Sequence, residues 1–395
     1  MKRAWALLAL LLCPAAQNGV APVPPPFAGG YQPQGIDEAG LWRQDDESER
    51  ALAQSPLVIR DPALNAYVRA VLCETVGAER CAAVRPYILR VPLFNATMSP
   101  NGTMRIYSGL LLRTSSASEL GAVLGHEFGH FERRHTLQAF KARRMGSDVV
   151  SWAAVLSSLS GTRQAWRNVD LLNLSVLGGL AKFSRDQERE ADRLGVGYLN
   201  ASRLDPQAAS RIWRTLILEG EASAAARGLR RNDVSRTSFF ASHPAEGERS
   251  TYLHALAATG GESRDDGSAR HAAALAPWRT MFLDDQIALN DFGASDFLVT
   301  HLAEGGWTAE LWRARGDLFS GRGHPRDLMN AADYYAKAVA LDPRLATAQR
   351  GLGLTLVKTG RVAEGRAALA RYRLLAPDAP DAAMIDATIA GLQAR

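Results

Sequence analysis

The sequence contains the stretch Gly125-His126-Glu127-Phe128-Gly129-His130, in which a glutamate follows the first of two histidines four residues apart. The residues before it, from Glu119 to Leu124, have the composition of a helix, and residues four apart share a helix face. His126 and His130 are therefore predicted to present two imidazoles to one metal ion, zinc by preference. Glu127 is rotated by about 100° from His126, which suits a base that takes a proton from the attacking water.

The start of this helix is marked by Ser116 and Glu119, which fit a capping box with the serine at the N-cap. The helix is predicted to run to about Arg143. His135 would then lie about half a turn out of phase with His126 and face away from the metal as a surface histidine. The alternative to a metal site is an amphipathic helix with surface histidines only.

A catalytic zinc ion needs a third protein ligand, and the charged stretch from Phe183 to Asp192 offers several carboxylates. Glu188 and Asp192 share a helix face, whereas Glu190 is rotated by about 200° from Glu188 and points away. Glu188 is assigned as the ligand and Asp192 as the acceptor of a histidine N–H. Spacing alone does not favour this pair over other carboxylates, because such a charged run is also typical of a solvated helix face.

Together, the stretches H-E-F-G-H and S-R-D-Q-E-R-E-A-D resemble the zinc peptidase family of the CAAX prenyl proteases and HtpX, and most closely its periplasmic BepA-type protease-chaperones. The resemblance covers roughly residues 50 to 255. It implies a zinc metalloendopeptidase with one zinc ion and a mainly α (α+β) fold, in which a helical, zincin-like domain contains a small β-sheet. In that family the first carboxylate of the E-x-x-x-D pattern is the third zinc ligand, a role that falls on Glu188.

A strand-turn-strand unit is predicted before the active-site helix, and its sequence N-A-T-M-S-P-N-G also matches the family. Residues 85–95 have a strand pattern, Asn101-Gly102 is a hairpin signal, and residues 103–107 would form the return strand. The strand edge beside the active-site helix is predicted to pair with an extended peptide substrate. The residues predicted for that edge are Asn95, Ala96, Thr97 and Met98.

Ser242-His243-Pro244, followed by Arg249, matches the downstream His-Pro motif of the family. The resemblance leaves two roles open for His243. It would either occupy the open position of the metal, which would silence the resting enzyme, or stabilise the oxyanion. Arg249 would lie nearby and support the tetrahedral intermediate.

The N-terminus has a basic start, an apolar run and small residues, which predict a signal peptide over residues 1–16 and export to the periplasm. A lipid anchor at Cys13 is the alternative, although Leu12 before it fits a lipoprotein signal poorly. In an oxidising compartment Cys73 and Cys81 could form a disulfide, and the alternative is two buried thiols.

Beyond the signal, the Pro- and Gly-rich residues 17–35 predict an irregular arm, and residues 36–258 the metallopeptidase domain. Residues 259–275 begin with a Gly-, Ser- and charge-rich run that predicts a linker. Pro343 and Pro377 are 34 residues apart, the period of a tetratricopeptide repeat. The final segment, residues 276–395, is therefore predicted to be a helical repeat domain, with a plain helical bundle as the alternative.

Two apolar segments, residues 149–159 and 171–180, are shorter than the about 20 residues that span a bilayer. They predict core helices, with a flap over the cleft or a membrane contact as alternatives, and no transmembrane helix is expected after the signal. The net charge is +5, but its basic residues are scattered without interleaved aromatic residues, which argues against a nucleic-acid partner.

The resemblance to BepA-type proteins implies a role in envelope quality control. The expected partners are unfolded or misassembled protein substrates and, through the helical repeats, the outer-membrane assembly machinery. A chaperone or adaptor that acts through its repeats with little proteolysis is the alternative function.

Overall fold

The computed structural model describes residues 23–145, 184–229, 249–257 and 264–393. These residues are mainly helical with one small sheet, so the predicted fold class is confirmed at this level. The predicted signal peptide, Cys13, the two apolar segments and His243 lie outside the described residues. No helix within the described ranges combines the length and the apolar composition needed to cross a bilayer.

Helices and strands are numbered here in chain order over the described residues. The peptidase part contains α1 (Gly35–Gln54), α2 (Pro62–Val76), α3 (Ala78–Ala82), β1 (Arg85–Leu89), β2 (Ala96–Met98), β3 (Thr103–Tyr107), α4 (Ser108–Arg113), α5 (Ala117–Glu132), α6 (His135–Met145), α7 (Arg185–Ala201), α8 (Ala208–Ala226) and α9 (Arg249–Leu256). The helices that follow are α10 (Ser268–Ile287), α11 (Phe292–Leu302), α12 (Ala309–Arg322), α13 (Pro325–Leu341), α14 (Ala346–Lys358), α15 (Val362–Leu375) and α16 (Ala382–Gln393).

The sheet has the order β1-β3-β2, with β1 parallel and β2 antiparallel to the central strand β3. The return strand has the predicted bounds, whereas the first strand ends at Leu89 because the chain must then cross over to reach β2 on the far side of β3. Gly102 makes the tight turn between β2 and β3 with φ 91°, a conformation that favours glycine. The sheet therefore presents β2 as an edge strand.

The two faces of the sheet are covered differently. Met104 and Ile106 point into the main core, which α2 and α5 share. On the other face Tyr107 packs with Leu52 of α1. Because strand residues alternate between faces, these contacts enclose β3 on both sides and fix its position beside α5.

Helix α5 is the centre of the peptidase part, and all its residues from Ala117 to Phe131 are buried. It packs lengthwise against α7, and glycines on both helices allow a close approach. A β-carbon on Gly129 would lie 3.1 Å from the carbonyl oxygen of Ala191, and one on Gly195 would lie 3.0 Å from the backbone nitrogen of His126. The two helices that carry the predicted ligands therefore meet almost backbone to backbone.

A disulfide joins Cys73 near the end of α2 to Cys81 in α3, with the two Cα atoms 4.9 Å apart. The structure thus contains the disulfide rather than the alternative of two thiols. It fastens the short helix α3 to α2 directly before β1.

The helices after the peptidase part continue its core. Leu275, Phe282 and Leu298 belong to the same hydrophobic cluster as α2 and α5. Helix α10 begins at Ser268, inside the predicted linker, and Arg264 before it donates hydrogen bonds to the backbone carbonyls of Leu199, Ser202 and Leu204. Helix formation and packing against the peptidase core therefore begin within the residues predicted as the linker, and the linker bounds stay a prediction.

Two helical hairpins follow, α12 with α13 and α14 with α15. Gly316 and Gly351 both lie against the ring of Tyr335, where a β-carbon would come within 2.6 Å and 2.4 Å of ring atoms. The pairing of helices is as expected, but the assignment as tetratricopeptide repeats and the division into domains stay predictions.

Candidate metal centre and active site

The N-terminus of α5 is capped by the predicted residues, with one change in register. Ser116 Oγ accepts a hydrogen bond from the backbone N–H of Glu119 at 3.1 Å. The Glu119 carboxylate reaches one residue further back than a capping box requires, and accepts from the backbone N–H and the hydroxyl of Ser115 at 2.7 and 2.8 Å. These bonds fix the start of the helix and therefore its phase along the following turns.

Three ligand atoms meet between α5 and α7. The Nε2 atoms of His126 and His130 are 3.1 Å apart. The Glu188 carboxylate lies 3.6 Å from Nε2 of His126 and 3.4 Å from Nε2 of His130. All three side chains are buried and form a group that could hold one metal ion.

The spacing and the donor types fit zinc. Tetrahedral zinc with ligand bonds of about 2.0–2.2 Å places neighbouring ligand atoms about 3.3–3.5 Å apart. The observed separations are close to this value: 3.1 Å between the two Nε2 atoms, 3.4 Å from His130 to Oε1 of Glu188 and 3.6 Å from His126 to Oε2 of Glu188. A His-His-Glu set also leaves one of four positions for water or substrate, as a catalytic site requires.

Asp192, one turn after Glu188 on α7, contacts the ring nitrogen of His126 that does not face the other ligand atoms. Its Oδ1 lies 2.9 Å from Nδ1 of His126, so an Nδ1–H donated to this carboxylate leaves Nε2 for the metal. Although burial opposes ionisation, the Arg249 charge and the bond from His126 hold the pKa of Asp192 below its usual value. Asp192 is therefore a carboxylate that fixes the His126 tautomer.

Arg249 at the start of α9 is buried among the carboxylates of α7. It donates two hydrogen bonds to Asp192, at 2.6 and 2.8 Å, and its third nitrogen lies 3.2 Å from Glu188. Its guanidinium stacks on the ring of Trp213 at 3.6 Å, and Tyr252 also donates to Asp192. These contacts favour a positioning role for Arg249, while the predicted oxyanion role stays a prediction.

Glu127 is buried next to His126 on α5, with 2% of its surface exposed. Its predicted role as base rests on its place in the motif. His243 lies outside the described residues, so its two predicted roles stay open.

The prediction for His135 is wrong. This side chain is fully buried, and its Nδ1 lies 2.9 Å from Nδ1 of His130. The active-site helix does not run to Arg143, because α5 ends at Glu132 and α6 begins at His135. Between them Arg134 has φ 53°, which turns the chain and brings His135 back to the metal centre.

The predicted substrate strand β2 is an edge strand of the sheet beside α5, and its three residues are buried. The backbone of Asn95 and Ser99 bonds toward β3. Because bonding directions alternate along an antiparallel strand, Thr97 also faces β3, whereas the backbone groups of Ala96 and Met98 point to the outer edge. No described residue forms a backbone hydrogen bond with that edge.

Similarity to known proteins agrees with this geometry. The chain is 27% identical over 186 residues to a putative beta-barrel assembly-enhancing protease of Vibrio cholerae, an alignment that covers 44% of this chain and 37% of that protein. It is 33% identical over 130 residues to the mitochondrial metalloendopeptidase OMA1 of Schizosaccharomyces pombe, with 33% and 36% covered. It is 31% identical over 166 residues to the metalloprotease YcaL of Escherichia coli, with 42% and 59% covered.

The chain thus spans between about a third and three fifths of the length of these curated relatives. The model of peptidase family M48, a family of zinc metallopeptidases, matches residues 60–257, which include every ligand of the metal centre and half of the chain. This protein therefore belongs to peptidase family M48.

Proposed function

We propose that this protein is a zinc-dependent endopeptidase of the bacterial cell envelope that hydrolyses misfolded or stalled outer-membrane proteins. The proposal rests on one observation: the side chains of His126, His130 and Glu188 form a buried cluster between α5 and α7. Glu127 is adjacent to His126 in the motif. The donor set, its spacing and the neighbouring carboxylate are those that metal-assisted hydrolysis requires.

Zinc held by these residues would supply a Lewis acid that polarises the scissile carbonyl and makes water more acidic. Glu127 takes a proton from the attacking water and passes it to the leaving amine. Asp192 holds His126 in the tautomer that keeps Nε2 directed at the metal position. Arg249 neutralises the two carboxylates of α7 and keeps them in place.

The peptide substrate binds as an added strand on β2. The outward backbone groups of Ala96 and Met98 pair with the substrate backbone, and this pairing gives affinity with little demand on sequence. Such tolerance suits an enzyme that removes misfolded chains, which expose extended segments of many sequences.

The envelope location is supported by two features besides the predicted signal peptide. The Cys73–Cys81 disulfide is typical of oxidising compartments. Beta-barrel assembly-enhancing proteases of Vibrio cholerae and Yersinia pestis are among the relatives. We further propose that the C-terminal helices bind substrates or the outer-membrane assembly machinery. His243 is proposed to silence the resting enzyme.

A second candidate function is a chaperone or adaptor with little proteolysis. The C-terminal helices favour it, because Trp307, Trp312 and Tyr334 form a partly exposed stack with ring centres 3.8 and 5.5 Å apart. Aromatic surfaces of this kind are common in protein-binding sites.

The test is cleavage of casein by purified protein with stoichiometric zinc, using wild type, Glu127→Gln and His243→Ala. Activity in wild type that is lost in Glu127→Gln supports the peptidase. A silent wild type beside an active His243→Ala supports auto-inhibition. Silence of all three, with zinc bound and with casein aggregation suppressed, would reject the endopeptidase in favour of the chaperone.

A further inference from the structure

A chain of polar contacts leads from the second metal ligand to the protein surface. Nδ1 of His130 lies 2.9 Å from Nδ1 of His135, and Nε2 of His135 lies 3.2 Å from Oε2 of Glu190. The other oxygen of Glu190 lies 3.0 Å from Nε of Arg133. His135 is fully buried, whereas the Glu190 side chain is 44% exposed.

Metal binding at Nε2 of His130 would set the position of each proton in this chain. Nε2 of His130 faces the other ligand atoms, so a neutral imidazole that binds metal there carries its proton on Nδ1. At 2.9 Å that Nδ1–H is donated to Nδ1 of His135, which is then unprotonated. His135 consequently carries its proton on Nε2 and donates it to Glu190, an acceptor.

The two histidine ligands are therefore held in different ways. His126 donates directly to Asp192, a carboxylate that is 2% exposed. His130 donates to a neutral imidazole, and a carboxylate is reached only one residue further away. The second arrangement links three helices, because His130 lies on α5, His135 on α6 and Glu190 on α7.

The turn before His135 is itself held in place. Arg134 adopts a positive φ of 53°, which L-residues rarely do. Its guanidinium donates to the hydroxyl of Tyr31 at 3.0 Å and lies 3.4 Å from the carboxylate of Glu38. Contacts with the N-terminal arm and α1 thus support the conformation that brings His135 within hydrogen-bonding distance of His130.

We propose that His135, supported by Glu190, is a positioning residue for the metal ligand His130. It accepts the Nδ1–H of His130 and so keeps Nε2 of that ring directed at the metal. The inference rests on the proposed zinc site and goes beyond it, because neither the H-E-x-x-H motif nor the E-x-x-x-D motif contains either residue.

The test compares two substitutions in the full chain. In His135→Asn the amide oxygen takes the place of Nδ1 and can still accept, whereas His135→Phe fills the space without an acceptor. Zinc affinity measured by chelator competition should fall about 10- to 100-fold in His135→Phe and be largely retained in His135→Asn. Equal affinities in wild type and His135→Phe would overturn the proposal.

A second measurement covers the case in which His135→Phe does not fold. Nitrogen-15 NMR of histidine-labelled, zinc-loaded wild type reports the tautomers directly. The expected state has a proton on Nδ1 of His130, and a bare Nδ1 with a protonated Nε2 for His135. A proton on Nδ1 of His135 would overturn the proposal.

Failure of this inference differs from failure of the proposed function. Glu127→Gln should bind zinc as tightly as wild type and lose proteolysis, since that side chain is no ligand. If wild type itself binds no zinc, the metal centre is refuted. If wild type binds zinc and cleaves casein but His135→Phe binds zinc equally well, only the role of His135 is refuted.

Discussion

Gly195 of α7 lies directly against the backbone of His126, where an added β-carbon would come within 3.0 Å of the nitrogen and 3.2 Å of Cα. This contact sets the distance between the helix with the two histidines and the helix with the carboxylates. The metal centre therefore depends on a residue without any functional group.

Gly195→Ala should force α5 and α7 apart by a few tenths of an ångström. Overpacking of this kind typically costs about 1–3 kcal/mol of unfolding free energy. Because Glu188 and Asp192 move with α7, zinc affinity should fall about tenfold or more, by analogy with the loss of supporting contacts. Urea unfolding and chelator competition on the same preparations measure the two effects.

Gly197→Ala is the matched control, since it lies on the same helix with nothing within 4 Å of its would-be β-carbon. It should leave zinc affinity unchanged and, by helix propensity, add up to about 1 kcal/mol of stability. Similar loss of affinity in both variants would show that the close approach at Gly195 is not what sets the site.

Local patterns in the sequence predict much of the metal centre. The i, i+4 spacing is enough to bring His126 and His130 together, because it depends only on helix geometry. The placement of Glu188 across from them depends on how α7 packs, which spacing does not determine; the family's E-x-x-x-D pattern is the signal that points to it. The glycines that permit this packing have no motif of their own.

His135 shows where sequence periodicity fails. The prediction assumed one continuous helix, but the chain breaks at Arg133-Arg134, which contains neither glycine nor proline. The break depends on contacts of Arg134 with Tyr31 and Glu38, about a hundred residues away in sequence. Long-range contacts of this kind leave no local signal, so the buried position of His135 could not be read from the sequence.

Arg249→Ala should destabilise the zinc-free protein more than the zinc-loaded one. Without the guanidinium, the buried carboxylates of Glu188 and Asp192 lose their shared cation, and removal of one partner of a buried ion pair typically costs about 3–5 kcal/mol. Zinc would offset part of the remaining negative charge. Thermal unfolding with and without zinc should show a larger metal-induced rise in Tm for the variant.

Arg361→Ala is the control for that experiment, because Arg361, directly before α15, pairs with Glu364 at 2.5 Å and its side chain is 53% exposed. Solvent screens such a pair, so no measurable change is expected at either metal content. An equal metal-induced rise in wild type and Arg249→Ala would contradict the proposed neutralising role.

His271 on α10 should make stability depend on pH. Its Nδ1 accepts from the hydroxyl of Tyr67 at 2.7 Å, and its Nε2–H donates to the backbone carbonyl of Thr114 at 2.8 Å. Burial lowers the pKa of His271 to about 4, from a usual 6.5. The neutral form is therefore favoured on folding, and its contribution is complete above pH 6.5.

As the pH falls from 6.5 towards 4, the unfolded chain takes up a proton that the folded protein resists, so stability decreases. The lowered pKa of His271 corresponds to a loss of at most about 3 kcal/mol in the free energy of unfolding over this pH range. Urea unfolding in EDTA at pH 7, 6, 5 and 4 should show this decrease in wild type and a shallower one in His271→Gln. Parallel curves for the two proteins would argue against His271 as the source.

If the substrate pairs with the outer edge of β2, the effect of backbone N-methylation on cleavage should alternate from one substrate residue to the next. Only every second substrate residue can bond to the backbone of Ala96 and Met98, because hydrogen-bonding direction alternates along a strand. Single N-methylation along a cleaved peptide should lower kcat/KM about fivefold at alternate positions, which corresponds to the loss of one hydrogen bond of about 1 kcal/mol. Methylation at the positions between them should have little effect. A uniform response along the peptide would mean that the substrate does not bind as an added strand on β2.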